Sequence, residues 1–369
     1  MKANKRLQSI FAFAFFIFSA INGMAQTQIG TDIDAESTND RSGWSISMGN
    51  DTTVAIGAIL NDGGGSNSGH VRIYDYNGAA WVQRGSDING ESSNDNSGYS
   101  VSMPHGNFVG IGAYRNDDNG GNSGHVRVYK WNGSTWTQRG GDIDGEAIGD
   151  ESGSTIIMPD TNTVAIGARN NDGNGSNSGH ARVYRWNGSD WVQKGIDLDR
   201  FAADYEFGTA VSMADSNTLA VSSVGNIFEP GEVYIYDWNG TAWIQRGATI
   251  VGESSFDLSG ISLSMPSPNY VAIGAANNAG NGSQSGHVRI YNWNGANWVQ
   301  VGSDLDGEAA NNRFGASVSM PDSITLAVGA NWNNEVGNMA GHTRIFEWDG
   351  VNWNQKGIDI DGEAADDQS

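Results

Sequence analysis

From residue 26 onward the chain repeats one pattern, in which short apolar stretches alternate with turns rich in Gly, Asn, Asp and Ser. In one stretch of chain the apolar segments are Ser154 to Met158, Thr163 to Ala168, His180 to Trp186 and Trp191 to Gly195. Each is bounded by turn residues and none carries a helical period, so each reads as a β-strand. Asn187-Gly188 joins the third to the fourth. Asn-Gly predicts a two-residue type I′ hairpin with positive φ at both residues. The dipeptide recurs at Asn77-Gly78, Asn132-Gly133, Asn239-Gly240 and Asn294-Gly295, with Asp349-Gly350 in the same role. A Met-Pro pair, as at Met103-Pro104, Met158-Pro159, Met265-Pro266 and Met320-Pro321, predicts the turn between first and second strands.

One apolar run breaks this pattern. Ile10 to Ile21 follows Lys2, Lys5 and Arg6 and precedes Gly23-Met24-Ala25. A basic start, a short apolar run and small residues before a cleavage point predict a secretory signal peptide over residues 1–25. The run is too short to cross a bilayer about 30 Å thick as a helix. No cysteine follows it to carry a lipid, and no later segment is apolar enough to span. The expected product is secreted, extracellular or at the cell surface, without membrane insertion.

The strands belong to a long repeat, the signature of stacked or radial architectures. Equivalent units occupy residues 30–84, 85–139, 140–194, 195–246, 247–301 and 302–356, and a partial seventh covers 357–369. Four antiparallel strands per unit, six times over, predict an all-β, β-propeller fold with six complete blades in a single domain over residues 26–369. The tryptophans fit this reading. Trp131, Trp186, Trp238, Trp293 and Trp348 end third strands, while Trp81, Trp136, Trp191, Trp243, Trp298 and Trp353 open fourth strands. Large aromatics at fixed blade positions suit packing between blades; a platform for sugars is the alternative. Residues Gln28 to Ile33 copy the end of a fourth strand, as in Gln138 to Ile143. With six complete units that segment is redundant, and it points to a seven-bladed ring of which this chain carries six blades.

The units resemble FG-GAP repeats, the blades of the integrin α-subunit propeller and of many secreted bacterial proteins. The Phe-Gly element stands at Phe207-Gly208 and Phe314-Gly315, and as Ser-Gly at Ser42-Gly43, Ser97-Gly98, Ser152-Gly153 and Ser259-Gly260. The Gly-Ala element closes the second strand at Gly57-Ala58, Gly112-Ala113, Gly167-Ala168, Gly274-Ala275 and Gly329-Ala330, without the proline that would complete it. The resemblance implies an adhesion or ligand-binding module, usually seven-bladed and often calcium-binding. The family's calcium loop lies between first and second strands. Here that loop is Pro159 to Thr163, too poor in oxygen ligands for an ion wanting six to eight. The linker between blades is richer. Asp142, Asp144, Glu146 and Asp150 are the candidate calcium residues, with solvated turn chemistry as the alternative.

Charge narrows the partners. Acidic residues number 42 and basic residues 20, a formal charge of −22, and loss of the signal peptide makes it −25. Nucleic acid is excluded by the missing basic footprint, and an anionic membrane surface is disfavoured. The absence of cysteine removes disulfides, thiol catalysis and Cys-based metal sites. Five of the six histidines recur at one repeat position (His70, His125, His180, His287, His342) and read as structural, too far apart around a ring to share one zinc ion. No nucleophile elbow, phosphate loop or His-Glu-x-x-His is present, so no catalytic residue is assigned.

Two further expectations come from aligning the units. Glu and Arg recur together as Glu36 with Arg72, Glu91 with Arg127, Glu146 with Arg182, Glu253 with Arg289 and Glu308 with Arg344. An Arg in a packed strand needs a partner, so each blade is expected to hold a Glu–Arg ion pair. A ring of Arg for an anionic ligand is the alternative. The fourth unit has Phe201 and Tyr234 at these positions and Glu232 in place of His, which predicts an aromatic contact there. This unit is also shorter and breaks the symmetry, which makes Arg200, Phe201, Tyr205, Glu206, Phe228, Glu229 and Glu232 candidate ligand contacts. The expected function is a secreted, non-enzymatic module binding an extracellular protein or glycan at a loop face. The alternatives are a glycoside hydrolase or lyase with its site in the central channel, and a structural surface-layer component.

Overall fold

The computed structural model describes residues 26–200, 202–225 and 228–368. The expected signal peptide and Phe201 lie outside the described residues. The chain forms six antiparallel sheets in which the strands follow one another in sequence order. In the third blade they are Thr155–Asp160, Thr163–Ala168, His180–Trp186 and Trp191–Gln193. The outer strand is longer than the sequence pattern suggests. After a break at Gly195 the chain returns to the same third strand, where Leu198 and Asp199 pair with Ala181 and His180. The linker between blades is therefore partly strand.

Two turns differ from expectation. Pro159 sits inside the first strand, not in a turn. The register shifts between Ile157 and Asp160, and an irregularity on an edge strand is where a missing N–H does no harm. The reversal falls on Thr161-Asn162, with the Asp160 carboxylate accepting the Asn162 N–H at 2.7 Å. The Asn-Gly hairpin is a four-residue loop closed by the Trp186–Trp191 pair, not a type I′ turn. Gly188 alone has positive φ there. Asn187 Oδ1 accepts the N–H groups of Ser189 and Asp190 at 2.9 Å each, an Asx turn that replaces the second left-handed residue.

The core lies between blades. Val126, Val128 and Ile143 of the second blade meet Ile156, Met158, Val164, Ile166, Tyr184 and Trp191 of the third, and four more clusters join the remaining neighbours along the chain. A tryptophan fastens each junction. Its ring meets the aromatic ring across the hairpin, edge to face at 5.5 Å between Trp186 and Trp191. Its Nε1–H donates to the previous blade's outer strand, from Trp191 to the Arg139 carbonyl at 2.8 Å.

Among the described residues no comparable packing joins the sixth blade's inner strand to the first blade's. The N-terminal segment lies at this junction. Ile29 O accepts the Trp81 Nε1–H at 2.8 Å, the bond that Arg84 O makes with Trp136. Gln26 Nε2 donates to Lys356 O at 2.7 Å, the bond a tryptophan makes in the other blades.

Candidate functional site

Linkers, starts of third strands and loops after second strands all meet at one end of the blades. The register puts His125 opposite Asp144 and Val126 opposite Ile143, so Asp142 arrives beside the start of the third strand. Two residues along the same strand face stands Arg127. The preceding linker brings Glu91, whose Oε1 lies 3.1 Å from Arg127 Nη1 and whose Oε2 lies 4.0 Å from His125 Nδ1. Asp142 Oδ2 is 3.7 Å from the same nitrogen, and Gln138 Nε2 holds its other oxygen at 2.5 Å. Arg127 also donates to the Asn89 carbonyl of the previous blade at 2.9 Å. Burial first, and the Arg127 charge second, push the His125 pKa down to about 4, so the ring is neutral. Desolvation outweighs Arg127 at Glu91 and raises its carboxyl pKa.

The same arrangement stands in four other blades. Glu36 contacts Arg72 directly, and the Glu–Arg separations are 3.4 Å for Glu146–Arg182, 3.7 Å for Glu253–Arg289 and 3.4 Å for Glu308–Arg344. His70, His180, His287 and His342 each face an acidic pair or set completed by Asp87, Asp197, Asp304 and Asp359. The histidines need not share an ion around the ring, because each has its own carboxylates. In the second blade Asp118 joins the group, and in the sixth Glu335 does. Among the described residues no cation lies within ion-pair distance of Glu363, whose counterparts pair in five blades.

The candidate calcium residues are not brought together. Asp142 belongs to the second blade's cluster and Glu146 to the third's. The backbone carbonyl of Asp144 accepts from Arg182 at 2.8 Å. Asp150 is buried, accepts the N–H groups of Glu146 and Ala147, and receives Asn171 Nδ2 at 3.0 Å. The linker from Asp142 to Asp150 is thus divided between the second blade's cluster, pairing with the third strand, the third blade's ion pair and a loop cap.

In the fourth blade the expected aromatic contact involves Phe201, which lies outside the described residues; Tyr234 pairs edge to face with Phe207 at 5.5 Å. Arg200 from the linker makes direct contact with the Glu232 carboxylate and the Tyr234 hydroxyl, and its guanidinium lies 3.8 Å over the Tyr205 ring. The ion pair survives with its polarity exchanged: the linker now supplies the cation and the third strand the anion. Of the other candidates, Phe228 pairs with Phe256 of the next linker at 6.0 Å, Glu229 is exposed, and Glu206 packs against Gly225. Sequence reasoning missed the aspartate. It stands 17 residues after the histidine in five units, at Asp87, Asp142, Asp197, Asp304 and Asp359, and is Thr249 in the fourth. Glu, His, Arg and Asp disappear from that unit together, which marks them as one group.

The repeat's two glycine elements meet across the blade junction. A Cβ on Gly167, in the Gly-Ala element, would stand 2.1 Å from the carbonyl of Gly208, in the next blade's Phe-Gly element. Gly208 itself has φ +91°. Only glycine permits this approach, which is the physical content of the short motif. Residues 31–74 match the FG-GAP repeat family. The chain is a β-propeller whose first unit matches the FG-GAP repeat. No curated protein matches its sequence. Among solved structures, the propeller is similar to a candidate 6-phosphogluconolactonase from Bacteroides uniformis (TM-score 0.59, 11% identity, covering 86% of this chain and 85% of that one). A second one, from Bacteroides fragilis, gives TM-score 0.54 and 11% identity over 86% and 84% of the chains. A protein from Lactobacillus plantarum gives 0.53 and 11% over 84% and 82%. At these identities the likeness speaks for the fold of the propeller and not for an activity.

Proposed function

We propose that this propeller is a secreted, non-enzymatic binding module that takes an extracellular protein or glycan at the linker end, centred on the fourth blade. The observation that carries the reading is the coincidence of broken symmetry with exposed aromatic surface. Phe228 and Phe256 are 72% and 51% exposed and pair edge to face at the junction of the fourth and fifth blades. The Arg200–Tyr205–Glu232 group lies on the same end of the blade. Exposed aromatics beside a cation and carboxylates suit either a sugar face or a protein hot spot. The high acidity accords with a role without nucleic-acid partners, and the expected signal peptide with an extracellular one.

Glycan and protein arrays probed with the purified chain test this. Binding that falls at least about tenfold in Phe256→Ala supports the reading, since truncating a hot spot costs upward of 1.4 kcal/mol. Turnover of chromogenic glycosides, abolished by a single carboxylate substitution in the central channel, would replace it with the hydrolase reading. Polymers in light scattering with no ligand on any array would replace it with the surface-layer reading.

A further inference from the structure

We infer that the histidine–carboxylate clusters of the second and sixth blades are binding sites for a divalent first-row transition ion. The second-blade set is Glu91, Asp118, His125 and Asp142, and the sixth-blade set is Glu308, Glu335, His342 and Asp359. In each, the ligand atoms lie within 4.8 Å of one another. One imidazole nitrogen and three carboxylates form an N/O set that suits zinc or manganese. Calcium and magnesium prefer oxygen alone.

The histidines point to a ligand independently of the acids. His125 and His342 have side chains 1% exposed, and neither ring nitrogen of either residue has a hydrogen-bond partner. A buried polar atom left in this state is costly and calls for an explanation. In both rings Nδ1 is the nitrogen turned to the carboxylates, 3.7 Å from Asp142 Oδ2 and 3.5 Å from Asp359 Oδ2. Two ligands of a tetrahedral ion with bonds of about 2.0–2.1 Å stand about 3.3 Å apart, so the histidine–aspartate pair closes with a shift of a few tenths of an ångström, and the exposed carboxylates, within 4.8 Å of the other ligand atoms, close by side-chain rotation.

The outer groups are those a metal centre uses to orient its ligands. Gln138 and Gln355 each hold one oxygen of the aspartate at 2.5 Å and leave the other toward the ring. Arg127 and Arg344 hold Oε1 of the glutamate and leave Oε2. Three carboxylates against one guanidinium leave two negative charges, which a divalent ion balances. Glu91, Asp118, Glu308 and Glu335 are exposed, which gives an entry path. In the fourth blade, where the histidine is replaced by Glu232, the chain places the Arg200 cation at this position instead. The first, third and fifth blades have Gly63, Gly173 and Gly280 where the second and sixth have Asp118 and Glu335. They keep three ligands and are expected to bind more weakly.

The experiment uses the full purified chain, stripped with chelator and titrated with Zn2+ or Mn2+ alone by calorimetry and native mass spectrometry. Two equivalents in the tightest class are expected. Asp118→Gly and Glu335→Gly recreate a residue other blades already tolerate. Each should move one equivalent out of that class with affinity falling about tenfold or more, and the double variant should leave none. Bound Mn2+ should show nitrogen coupling in its electron paramagnetic spectrum that is lost at the second-blade site in His125→Gln. No saturable binding of either ion, or a tight stoichiometry unchanged in the double variant, overturns the inference.

Discussion

The first and third blades carry the same residues on the same strand face and place them in opposite surroundings. Ile156 and Met158 are 7% and 2% exposed, whereas Ile46 and Met48, at the same repeat positions, are 62% and 50% exposed. The equivalent methionines Met103, Met213, Met265 and Met320 are all at or below 6%. The outgoing face of the sixth blade shows the complement: Ile360 is 41% exposed where Ile143 is 5%. A blade therefore does not contain its own core. It offers half of one on each face, and burial depends on a neighbour being there. This is the physical meaning of stability that sums over nearest-neighbour interfaces, and it makes the first and sixth blades, each covered on one face among the described residues, less firmly held than the inner four.

Truncation at the shared methionine tests the comparison most sharply. Met158→Ala should cost about 2–5 kcal/mol, the range for a buried methionine that leaves a cavity, while Met48→Ala should stay within about 0.5 kcal/mol, as for a surface change. Denaturant unfolding of the two variants measures both, and equal losses would show that the first blade's face is covered in solution.

A smaller effect is expected at the tryptophan latch. Trp191→Phe keeps a six-membered aromatic ring but removes the pyrrole portion of a buried indole together with its bond to the Arg139 carbonyl, at a cost of about 1 kcal/mol for the bond plus that of the vacated volume. Trp81→Phe removes the same bond to Ile29, on an exposed segment, where water can replace it, and should cost less than half as much. Thermal melts of the pair read the difference; a larger loss in Trp81→Phe would mean that the N-terminal segment holds the first blade more firmly than the inner latches do.

The smallest effect is a dependence on pH. Arg41 and Glu206 occupy one left-handed position of the repeat, with φ of 54° and 47°. Arg41 is exposed and Glu206 half-buried. Burial raises the Glu206 pKa, partly offset by Arg169. A raised carboxyl pKa means that ionisation opposes folding. The penalty is absent below the unfolded-state pKa, grows as pH rises from there to the folded value and is complete above it. Glu206→Gln should therefore stabilise the protein at pH 7 and leave it unchanged near pH 4, while Arg41→Gln should change neither. Chemical denaturation at both pH values checks this, and a gain that is equal at both would remove ionisation as its cause.

Much of the candidate site was legible in the chain. The Glu–Arg spacing was visible because five units act as their own alignment, and the blade topology put linker and third strand at one end. The aspartate is hidden in the sequence because it falls after the fourth strand, in a linker, and only the second pairing with the third strand brings it back. Its loss from the fourth unit together with Glu, His and Arg was the available signal. The pairing of Arg200 with Glu232 is not legible from the repeat, since it reverses the arrangement of charges in the other five blades.

By itself the sequence determined the all-β class, the number of complete blades, the strands of each and the glycines at their junctions. These follow from local pattern repeated often enough to be unambiguous: alternation, turn chemistry and a period near 55 residues. Only the tertiary structure decided which equal residues are buried, which carboxylates meet which histidine, and how the linker from Asp142 to Asp150 is divided between two blades. The reason is the same in each case. Those properties belong to the contact between one blade and the next, and a repeat written identically in every unit carries no mark of whether its neighbour is in place.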